Sequence, residues 1–203
     1  MARRELHDRF FKQAKAEGYL ARSAYKLLQI QELKRLMRPG DRVLDLGCAP
    51  GAWIQVALEV VGPKGRVVGV DLQEVRHAFD PRVHLVQGDA FEIGAEELTG
   101  PAGGLFQVVL SDMAPNTSGH GDDARSARLC WRVLELVPDI LAPAGNLAMK
   151  VLEGADYPNL LKDTKGMFAQ VKGYKPKASR DVSREMYIIA HGYVPGKTPR
   201  MVP

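Results

Sequence analysis

The sequence predicts a doubly wound α/β fold, in which a mostly parallel sheet carries helices on both faces. Strand-like apolar segments alternate with segments of helical periodicity along the 203 residues. Several of these strands end in an acidic residue, and the apolar centre of Phe106–Ser111 is typical of a strand buried on both faces. A chain of this length can form one domain with a full core, and its hydrophobic content of 45% is ordinary for a globular protein.

The first half of the chain is expected to contain two helices and three strands. Apolar side chains recur at helical spacing between Ser23, a capping residue, and the helix-breaking Pro39. The predicted elements are, in order, a helix over 22–36, the strand Arg42–Leu46, a helix over 51–61, and the strands Arg66–Asp71 and Val83–Gln87.

The second half of the chain continues the alternation of predicted strands and helices. After Phe106–Ser111, a stripe of apolar residues predicts a long helix that is capped by Asp122 or Asp123. The remaining predicted elements are a strand over 146–152, a helix over 159–168, and strands over 170–175 and 185–192.

The most informative segment is 45–53, Asp-Leu-Gly-Cys-Ala-Pro-Gly-Ala-Trp, in which an apolar strand ends in an acid and a glycine turn leads into a helix. Proteins of the α/β class build nucleotide pockets at such turns. Ala49 and Ala52 replace two glycines of the dinucleotide pattern, and Pro50 lacks an N–H that could hold a phosphate. The turn therefore favours a nucleoside ligand without a diphosphate, although an ordinary strand–turn–helix connection would also explain it.

Acidic residues end four of the predicted strands or follow them directly: Asp45, Asp71, Asp89 and Asp112. Because parallel strands end at one edge of a sheet, we expect these carboxylates to line one ligand site. Asp71 is expected to accept hydrogen bonds from ribose hydroxyls, and Asp89 from an adenine amino group. A group of carboxylates tolerates a sulfonium ion better than a pyrophosphate, so S-adenosylmethionine is favoured over NAD. Any one of these acids alone could instead be a helix N-cap.

Five motifs, in this order along the chain, resemble the FtsJ family of ribosomal-RNA 2′-O-ribose methyltransferases. The match runs from about Ala21 to His191, and the motifs are residues 22–27, 45–53, 110–116, 149–151 and 183–187. The resemblance implies a Rossmann-like, S-adenosylmethionine-dependent methyltransferase fold. Its sheet would be seven-stranded and mostly parallel, with helices on both faces and an antiparallel last strand. Cys48 and Ala52 stand where many relatives have Ala and Gly, but neither side chain need touch the cofactor.

The resemblance also implies roles for residues of this chain. Those at the positions of the family's catalytic tetrad are Lys26, Asp112, Lys150 and Glu185. Those at its cofactor-binding positions are Gly51, Trp53, Asp71, Asp89 and Asp112, to which the strand end and turn add Asp45 and Gly47.

Lysines at these positions suit methyl transfer to a ribose for a chemical reason. A ribose hydroxyl is a weak acid, so its oxygen needs a proton acceptor before it can attack a methyl group. Lys150 lies in an otherwise apolar strand, where a charge is costly unless it has a function, and is the expected general base. Lys26 and Glu185 are expected to position the ribose, and Asp112 to lie between cofactor and substrate. Taken alone, Lys26 would be an exposed helix lysine and Glu185 a charge on an edge strand.

Charge is concentrated at the two ends of the chain. Residues 1–42 carry 11 Lys/Arg and 5 Asp/Glu, residues 43–161 carry 8 and 16, and residues 162–203 carry 9 and 3. If the fold brings the basic ends to one face, they would bind a polyanion such as RNA, although they could also do no more than solvate the protein. The basic residues of these arms are Arg3, Arg4, Arg9, Lys12, Lys15, Arg22, Lys172, Lys175, Lys177, Arg180 and Arg184, and their aromatic neighbours are Phe10, Phe11, Tyr19 and Tyr174.

The sequence therefore predicts an enzyme that methylates a ribose 2′-hydroxyl, and the resemblance implies a uridine of 23S rRNA in the large ribosomal subunit. One alternative is the same chemistry on tRNA, mitochondrial rRNA or an mRNA cap. Another is a catalytically silent relative that binds RNA or ribosomes as an assembly factor. An NAD-dependent oxidoreductase would share the turn and Asp71, but it would not explain Lys26 and Lys150.

We expect a basic arm over 1–20, a single methyltransferase domain over 21–195 and a tail over 196–203. No apolar run is long enough to span a bilayer and no secretory signal is visible, so a cytoplasmic protein is expected. Cys48 and Cys130 match no metal-ligand spacing, so no metal is expected. The expected partner is 23S rRNA within the 50S subunit or a late precursor, and the protein is expected to be a monomer.

Overall fold

A single sheet of seven strands forms the centre of the protein. The computed structural model describes residues 10–116, 121–179 and 183–197. The strands are β1 (Arg42–Leu46), β2 (Arg66–Asp71), β3 (Val83–Gln87), β4 (Phe106–Ser111), β5 (Leu141–Leu152), β6 (Phe168–Tyr174) and β7 (Glu185–Tyr193). The first four strands have the bounds that the sequence predicts, whereas β5 begins at Leu141 rather than at residue 146.

The strand order is β3-β2-β1-β4-β5-β7-β6. β1 pairs in parallel with both β2 and β4, so the chain leaves β1 toward one edge of the sheet and returns to build the other side. β7 is inserted between β5 and β6 and is antiparallel to both. The predicted sheet, mostly parallel with an antiparallel last strand, is therefore confirmed. Its topological switch point lies between β1 and β4, where open α/β sheets bind ligands.

Helices cover both faces of this sheet, as the sequence predicts. They are α1 (Ala24–Lys34), α2 (Ala52–Val61), α3 (Ala95–Ala102), α4 (Asp122–Ile140) and α5 (Tyr157–Met167). α1 and α2 pack on one face, where Leu27 and Ile54 are fully buried. The other three pack on the opposite face through residues such as Leu98, Val137 and Leu160. Full burial of one such side chain stabilises the fold by about 1.5–3 kcal/mol, so each helix is held by its apolar stripe.

Two helices differ from the predicted elements. α3 has no predicted counterpart, because Gly100 and Pro101 are typical of turns. Burial of Leu98 nevertheless holds this segment in the core as a helix. Asp122 is the first residue of α4 rather than its cap, since Gly121 occupies the cap position with φ 66°. The Asp122 carboxylate instead pairs with Arg125 one turn along the helix.

The N-terminal segment is helical over residues 10–16 and packs against the domain. Ala14 is buried together with Tyr25 of α1 and Ala178, which follows β6. Just before α1, the Leu20 N–H donates to the Gln55 side chain at 2.8 Å. The two basic segments of the chain therefore meet beside the start of α1. Residues 1–9 and 198–203 of the predicted arm and tail lie outside the described residues.

Candidate active site

The turn after β1 is held tightly against the neighbouring strands. The backbone N–H groups of Gly47 and Cys48 both donate to the Val70 carbonyl of β2, at 2.8 and 3.1 Å. Gly47 has φ +80°, and a Cβ atom there would lie 2.8 Å from the backbone nitrogen of Met113. Only glycine combines this backbone conformation with so close an approach. The turn is thereby fixed in position before any ligand binds.

An open cleft of about 260 Å³ lies at the carboxyl ends of β1 to β4. The predicted site residues on its wall are Gly47, Asp71, Asp89 and Asp112. The structure thus brings three of the four strand-end acids and the glycine turn to one site, at the switch point of the sheet.

Asp71 and Asp89 are each held by backbone N–H groups. The two oxygens of Asp71 accept hydrogen bonds from Ala49 and Gln73, both at 2.8 Å. Oδ1 of Asp89 accepts one from Phe91 at 2.9 Å. Because a carboxylate offers about four lone-pair sites, both acids retain acceptors for ribose hydroxyls or an amino group.

Asp45 is fully buried, and neither of its carboxylate oxygens has a hydrogen-bond partner among the described residues. Burial, followed by the charges of Asp112 and Asp71, raises the pKa of this carboxyl well above its ordinary value. Asp45 does not line the cleft, so the negative charge that a ligand meets there comes from Asp71, Asp89 and Asp112. S-adenosylmethionine carries a sulfonium and an ammonium group, whereas NAD carries a negative pyrophosphate. The acids of the cleft therefore fit the former.

Gly51 and Trp53 do not lie on the wall of the cleft. The Trp53 side chain is buried, and its indole N–H donates to the Ser23 carbonyl at 2.9 Å. Gly51 precedes α2, and a Cβ atom there would lie 2.5 Å from the Phe79 ring. In the described structure both residues position the turn against its neighbours. That they bind the cofactor stays a prediction.

Lys150 of β5 and Asp112, which follows β4, form a nearly buried ion pair. The Lys150 Nζ lies 3.1 Å from Oδ1 of Asp112 and donates to its backbone carbonyl at 2.5 Å. The exposed fractions of the two side chains are 7% and 18%. Because Asp112 also lines the cleft, this pair connects the ligand site with the lysine of β5.

Lys26 of α1 and Glu185 of β7 form the second pair. The Lys26 Nζ lies 2.9 Å from Oε2 of Glu185. Burial alone would raise the pKa of Glu185, but the charge and hydrogen bond of Lys26, together with the charge of Lys150, lower it overall. Glu185 is therefore an ionised hydrogen-bond acceptor near neutral pH, and it interacts electrostatically with both lysines. The four residues assigned to the tetrad are thus brought together as two adjacent pairs.

Tyr187 joins these pairs and is a site residue that the sequence reasoning did not single out. Its hydroxyl donates to Oδ1 of Asp112 at 2.7 Å, and it lies directly opposite Lys150 in the register of β5 and β7. Burial, with the charges of Asp112 and Glu185, raises the pKa of Tyr187 well above its ordinary value, so the hydroxyl keeps its proton. Alternation along a strand was the available signal, because Tyr187 follows Glu185 by two residues and shares its face.

Cys130 supports Lys150 from the other side of the strand. Its thiol donates to the Lys150 carbonyl at 3.0 Å. Burial raises the pKa of Cys130 to about 12, with a smaller opposing contribution from Lys150, so the group is a neutral thiol. This cysteine therefore has a structural role beside the site.

The basic arms are only partly described. Arg3, Arg4, Arg9 and Arg180 lie outside the described residues. The exposed basic residues that are described are Lys12, Lys15, Lys172, Lys175, Lys177 and Arg184. Phe10 packs against Tyr25 with ring centroids 5.4 Å apart, whereas Phe11 is 60% exposed. Of these two aromatic residues, only Phe11 is therefore available to stack on a base.

Two negative findings apply to residues 10–116, 121–179 and 183–197. No group of three or more His, Cys, Asp or Glu side chains in these ranges is placed to hold a metal ion. None of the helices in these ranges combines the length and the hydropathy that a bilayer span requires.

The switch-point cleft with its acids and the two lysine–carboxylate pairs define a methyltransferase of the S-adenosylmethionine-dependent class. Residues 19–193 match the model of the FtsJ-like methyltransferase family. The chain belongs to this family. The predicted family, enzyme class, fold and methyl-donor cofactor are thereby confirmed.

Individual relatives agree with this assignment. The chain is 47% identical to a ribosomal RNA large subunit methyltransferase E of Syntrophobacter fumaroxidans, over 91% of this chain and 94% of the relative. It is 40% identical to the protein of the same name from Methanobrevibacter smithii, over 96% and 94% of the two chains. A solved structure assigned as a ribosomal RNA methyltransferase of Plasmodium falciparum superposes with a TM-score of 0.76 at 26% identity, covering 90% of this chain and all of that one.

Aeropyrum pernix fibrillarin, solved with S-adenosylmethionine, shares the fold. Its TM-score is 0.57 at 20% identity, over 83% of this chain and 76% of that one.

Gly47→Ala is expected to weaken S-adenosylmethionine binding about tenfold and to lower the melting temperature. Alanine at this position would have to adopt a left-handed backbone conformation, which costs about 1–2 kcal/mol. Its Cβ would also press on the backbone of Met113. Calorimetric titration of the variant measures the first effect. Gly100→Ala is the control, because nothing lies within 4 Å of the Cβ position there. Equal cofactor affinity in the two variants would contradict a rigid, glycine-dependent turn.

Proposed function

We propose that this enzyme transfers the methyl group of S-adenosylmethionine to a ribose 2′-hydroxyl of large-subunit ribosomal RNA. The observation that carries the proposal is the pair of lysine–carboxylate contacts at the edge of the acid-lined cleft, Lys150–Asp112 and Lys26–Glu185. The names of the relatives supply the RNA class, because they are ribosomal RNA large subunit methyltransferases.

Lys150 is the proposed proton acceptor. When bound, S-adenosylmethionine supplies an electrophilic methyl group on a sulfonium. The Lys150 Nζ contacts the carbonyl and the Oδ1 of Asp112, and once it has lost a proton it can keep these two contacts and offer its lone pair to the ribose hydroxyl. Tyr187 holds Asp112 in place through its own hydrogen bond. The proton acceptor therefore has a fixed direction before substrate arrives.

Lys26 and Glu185 are proposed to position the ribose. The Glu185 carboxylate is ionised and can accept a hydrogen bond from a sugar hydroxyl, while Lys26 restrains it at 2.9 Å. The Lys26 ammonium can donate to a ribose oxygen at the same time, since it carries three hydrogens. A ribose hydroxyl bound in this way would lie between the two pairs and close to the cleft.

The alternatives of other classes explain less of the site. An NAD-dependent oxidoreductase leaves both lysine pairs without a purpose and would have to bring a pyrophosphate to a wall of three carboxylates. A silent RNA-binding relative has no need of two nearly buried lysines, whose desolvation costs stability.

We infer that the target is a uridine of 23S rRNA in the 50S subunit or a late precursor, and that the enzyme acts as a cytoplasmic monomer. The contact of Ala14 with Tyr25 and Ala178 supports an RNA-binding face, because it joins both basic segments beside Lys26. We keep the proposed organisation of an arm over 1–20, a domain over 21–195 and a tail over 196–203.

Methyl transfer to defined RNAs tests the proposal. The enzyme and S-adenosylmethionine would be incubated with 50S subunits, naked 23S rRNA or tRNA, and the products digested to nucleosides for mass spectrometry. We expect 2′-O-methyluridine from the 50S subunit, and none when the cofactor is omitted. A methylated base, or product from tRNA alone, would contradict the proposed substrate.

A further inference from the structure

A second cavity, of about 470 Å³, lies at the edge of the sheet opposite the cofactor cleft. Its wall is formed where β4 and β5 begin, where β7 ends, and where the chain leaves α1. A shallower depression of about 380 Å³ shares Lys34, His191 and Gly192 with it. Nothing in the proposed methyl transfer uses this part of the molecule.

The cavity is strongly basic. Lys34, Arg35 and Arg38 line it, and Asp41 is the one acid on its wall. Among the described residues, none of the three cationic side chains forms an ion pair or a hydrogen bond. Lys34 lies over the Tyr174 ring at 5.2 Å, and the backbone N–H of Arg38, not its guanidinium, donates to Asp41. Three cations and one carboxylate give the wall of the cavity a net charge of +2.

Asn146 sets the hydrogen-bonding state of His191 in this cavity. The Asn146 amide nitrogen donates to the Leu36 carbonyl at 2.7 Å, so its oxygen is the group that faces His191 Nδ1 at 3.1 Å. Nδ1 must therefore carry a hydrogen, which leaves Nε2 as the second polar atom of the ring. Burial, then the charges of Lys34 and Arg38, lowers the pKa of His191. A bound anion would offset those two positive charges and so raise the pKa of His191 again.

Backbone strain is concentrated at the same place. Within the described ranges, the non-glycine residues with positive φ are Arg35 at 50° and Ala144 at 61°, and both line the cavity. Such conformations cost on the order of 1 kcal/mol or more and tend to persist where function requires them. The left-handed turn at Arg35 ends α1 and places two arginines of one short segment on the same wall.

We propose that this cavity is a phosphate-binding site in which Arg35, Arg38 and His191 are the principal ligands. Guanidinium groups match phosphate oxygens with paired hydrogen bonds. A bound anion also favours protonation of His191, whose Nε2–H then adds a third charged donor. Two ligands share this chemistry: a phosphodiester of the RNA substrate and a small free phosphate.

We favour the RNA phosphodiester, and this choice rests on the proposed function, whereas phosphate binding itself does not. α1 runs from Lys26 at the site to Lys34 at the cavity, a rise of about 12 Å over eight residues. An RNA strand whose ribose lies at Lys26 can therefore follow α1 and place a phosphate a few nucleotides away in the cavity. The exposed Lys172 of the neighbouring edge strand β6 extends this basic track.

The first experiment titrates the wild-type protein with inorganic phosphate at pH 7, with sodium chloride adjusted to hold ionic strength constant. The ring resonances of His191, assigned with His191→Gln, report occupancy by NMR. We expect a saturable shift that disappears in the double variant Arg35→Gln/Arg38→Gln. It should persist in the control Lys64→Gln/Arg66→Gln, which removes two exposed charges near the same edge of the sheet. No saturable shift in the wild type overturns the proposal, whatever the RNA result.

The second experiment distinguishes the two sources. If an RNA phosphodiester occupies the cavity, the Arg35→Gln/Arg38→Gln variant should raise the KM for the RNA substrate about tenfold, with kcat at saturation unchanged. The dependence of binding on salt should also become shallower, by about 0.7 in log–log slope for each lost contact. A phosphate-dependent shift without any change in KM would assign the cavity to a small free phosphate. Thermal unfolding of each variant shows whether it has kept its fold, and phosphate binding is measured without any methyl transfer.

Discussion

Replacing Lys150 with methionine is expected to lower kcat by about two to four orders of magnitude, the usual contribution of a general base. Methionine fills the nearly buried space of the lysine stem but has no group that accepts a proton. The cofactor cleft does not include Lys150, so the affinity for S-adenosylmethionine should change by less than about twofold. Single-turnover methylation of the RNA substrate measures the chemical step, and calorimetry measures cofactor binding.

Lys165→Met is the matched control, because Lys165 is an exposed lysine near the end of α5 without a hydrogen bond or ion pair among the described residues. Its kcat should equal that of the wild type. Near-normal turnover by Lys150→Met would show that the proton leaves by another route, and the role proposed for this lysine would have to be abandoned.

Asp112→Asn is expected to lose both activity and stability. The amide keeps an oxygen for the Tyr187 hydroxyl, but it removes the charge that faces Lys150 at 3.1 Å. Leaving a buried charge without its partner costs about 3–5 kcal/mol, and the partial exposure of Asp112 places the expected loss near the lower end. We expect kcat to fall by at least about a hundredfold, because Lys150 loses its orientation.

Urea denaturation measures the free energy of unfolding of this variant, and single-turnover methylation measures its activity. Asp139→Asn is the control, since the Asp139 side chain is exposed and has no ion pair in the described part of the chain. A variant that keeps its stability and loses only activity would mean that the Lys150–Asp112 contact does not hold the fold together. One that keeps its activity would contradict the proposed orientation of Lys150.

The sequence was sufficient to predict those structural features that depend on residues close together in the chain. The bounds of β1 to β4 follow from apolar segments between turn residues, and parallel strands necessarily bring Asp71, Asp89 and Asp112 to one edge. The antiparallel position of β7 came from the resemblance to a family, because periodicity alone does not give strand order.

Features that join distant segments were not predictable in the same way. Tyr187 meets Asp112 only because β7 is inserted beside β5, and the basic cavity combines α1, β5 and β7. α3 was missed because the burial of Leu98 outweighs the turn propensity of Gly100 and Pro101. Each of these depends on tertiary contacts, which the pattern of a single segment does not contain.

The insertion of β7 between β5 and β6 has a consequence for the order of events during synthesis. β6 leaves the ribosome before β7, yet β7 is its strand partner in the sheet, so the nascent sheet carries an unpaired strand until β7 arrives. Glu185 and Tyr187 arrive with that same strand. The residues that line the cofactor cleft all precede β6, whereas the second lysine–carboxylate pair needs β7, so chains that end before β7 are expected to be inert as enzymes.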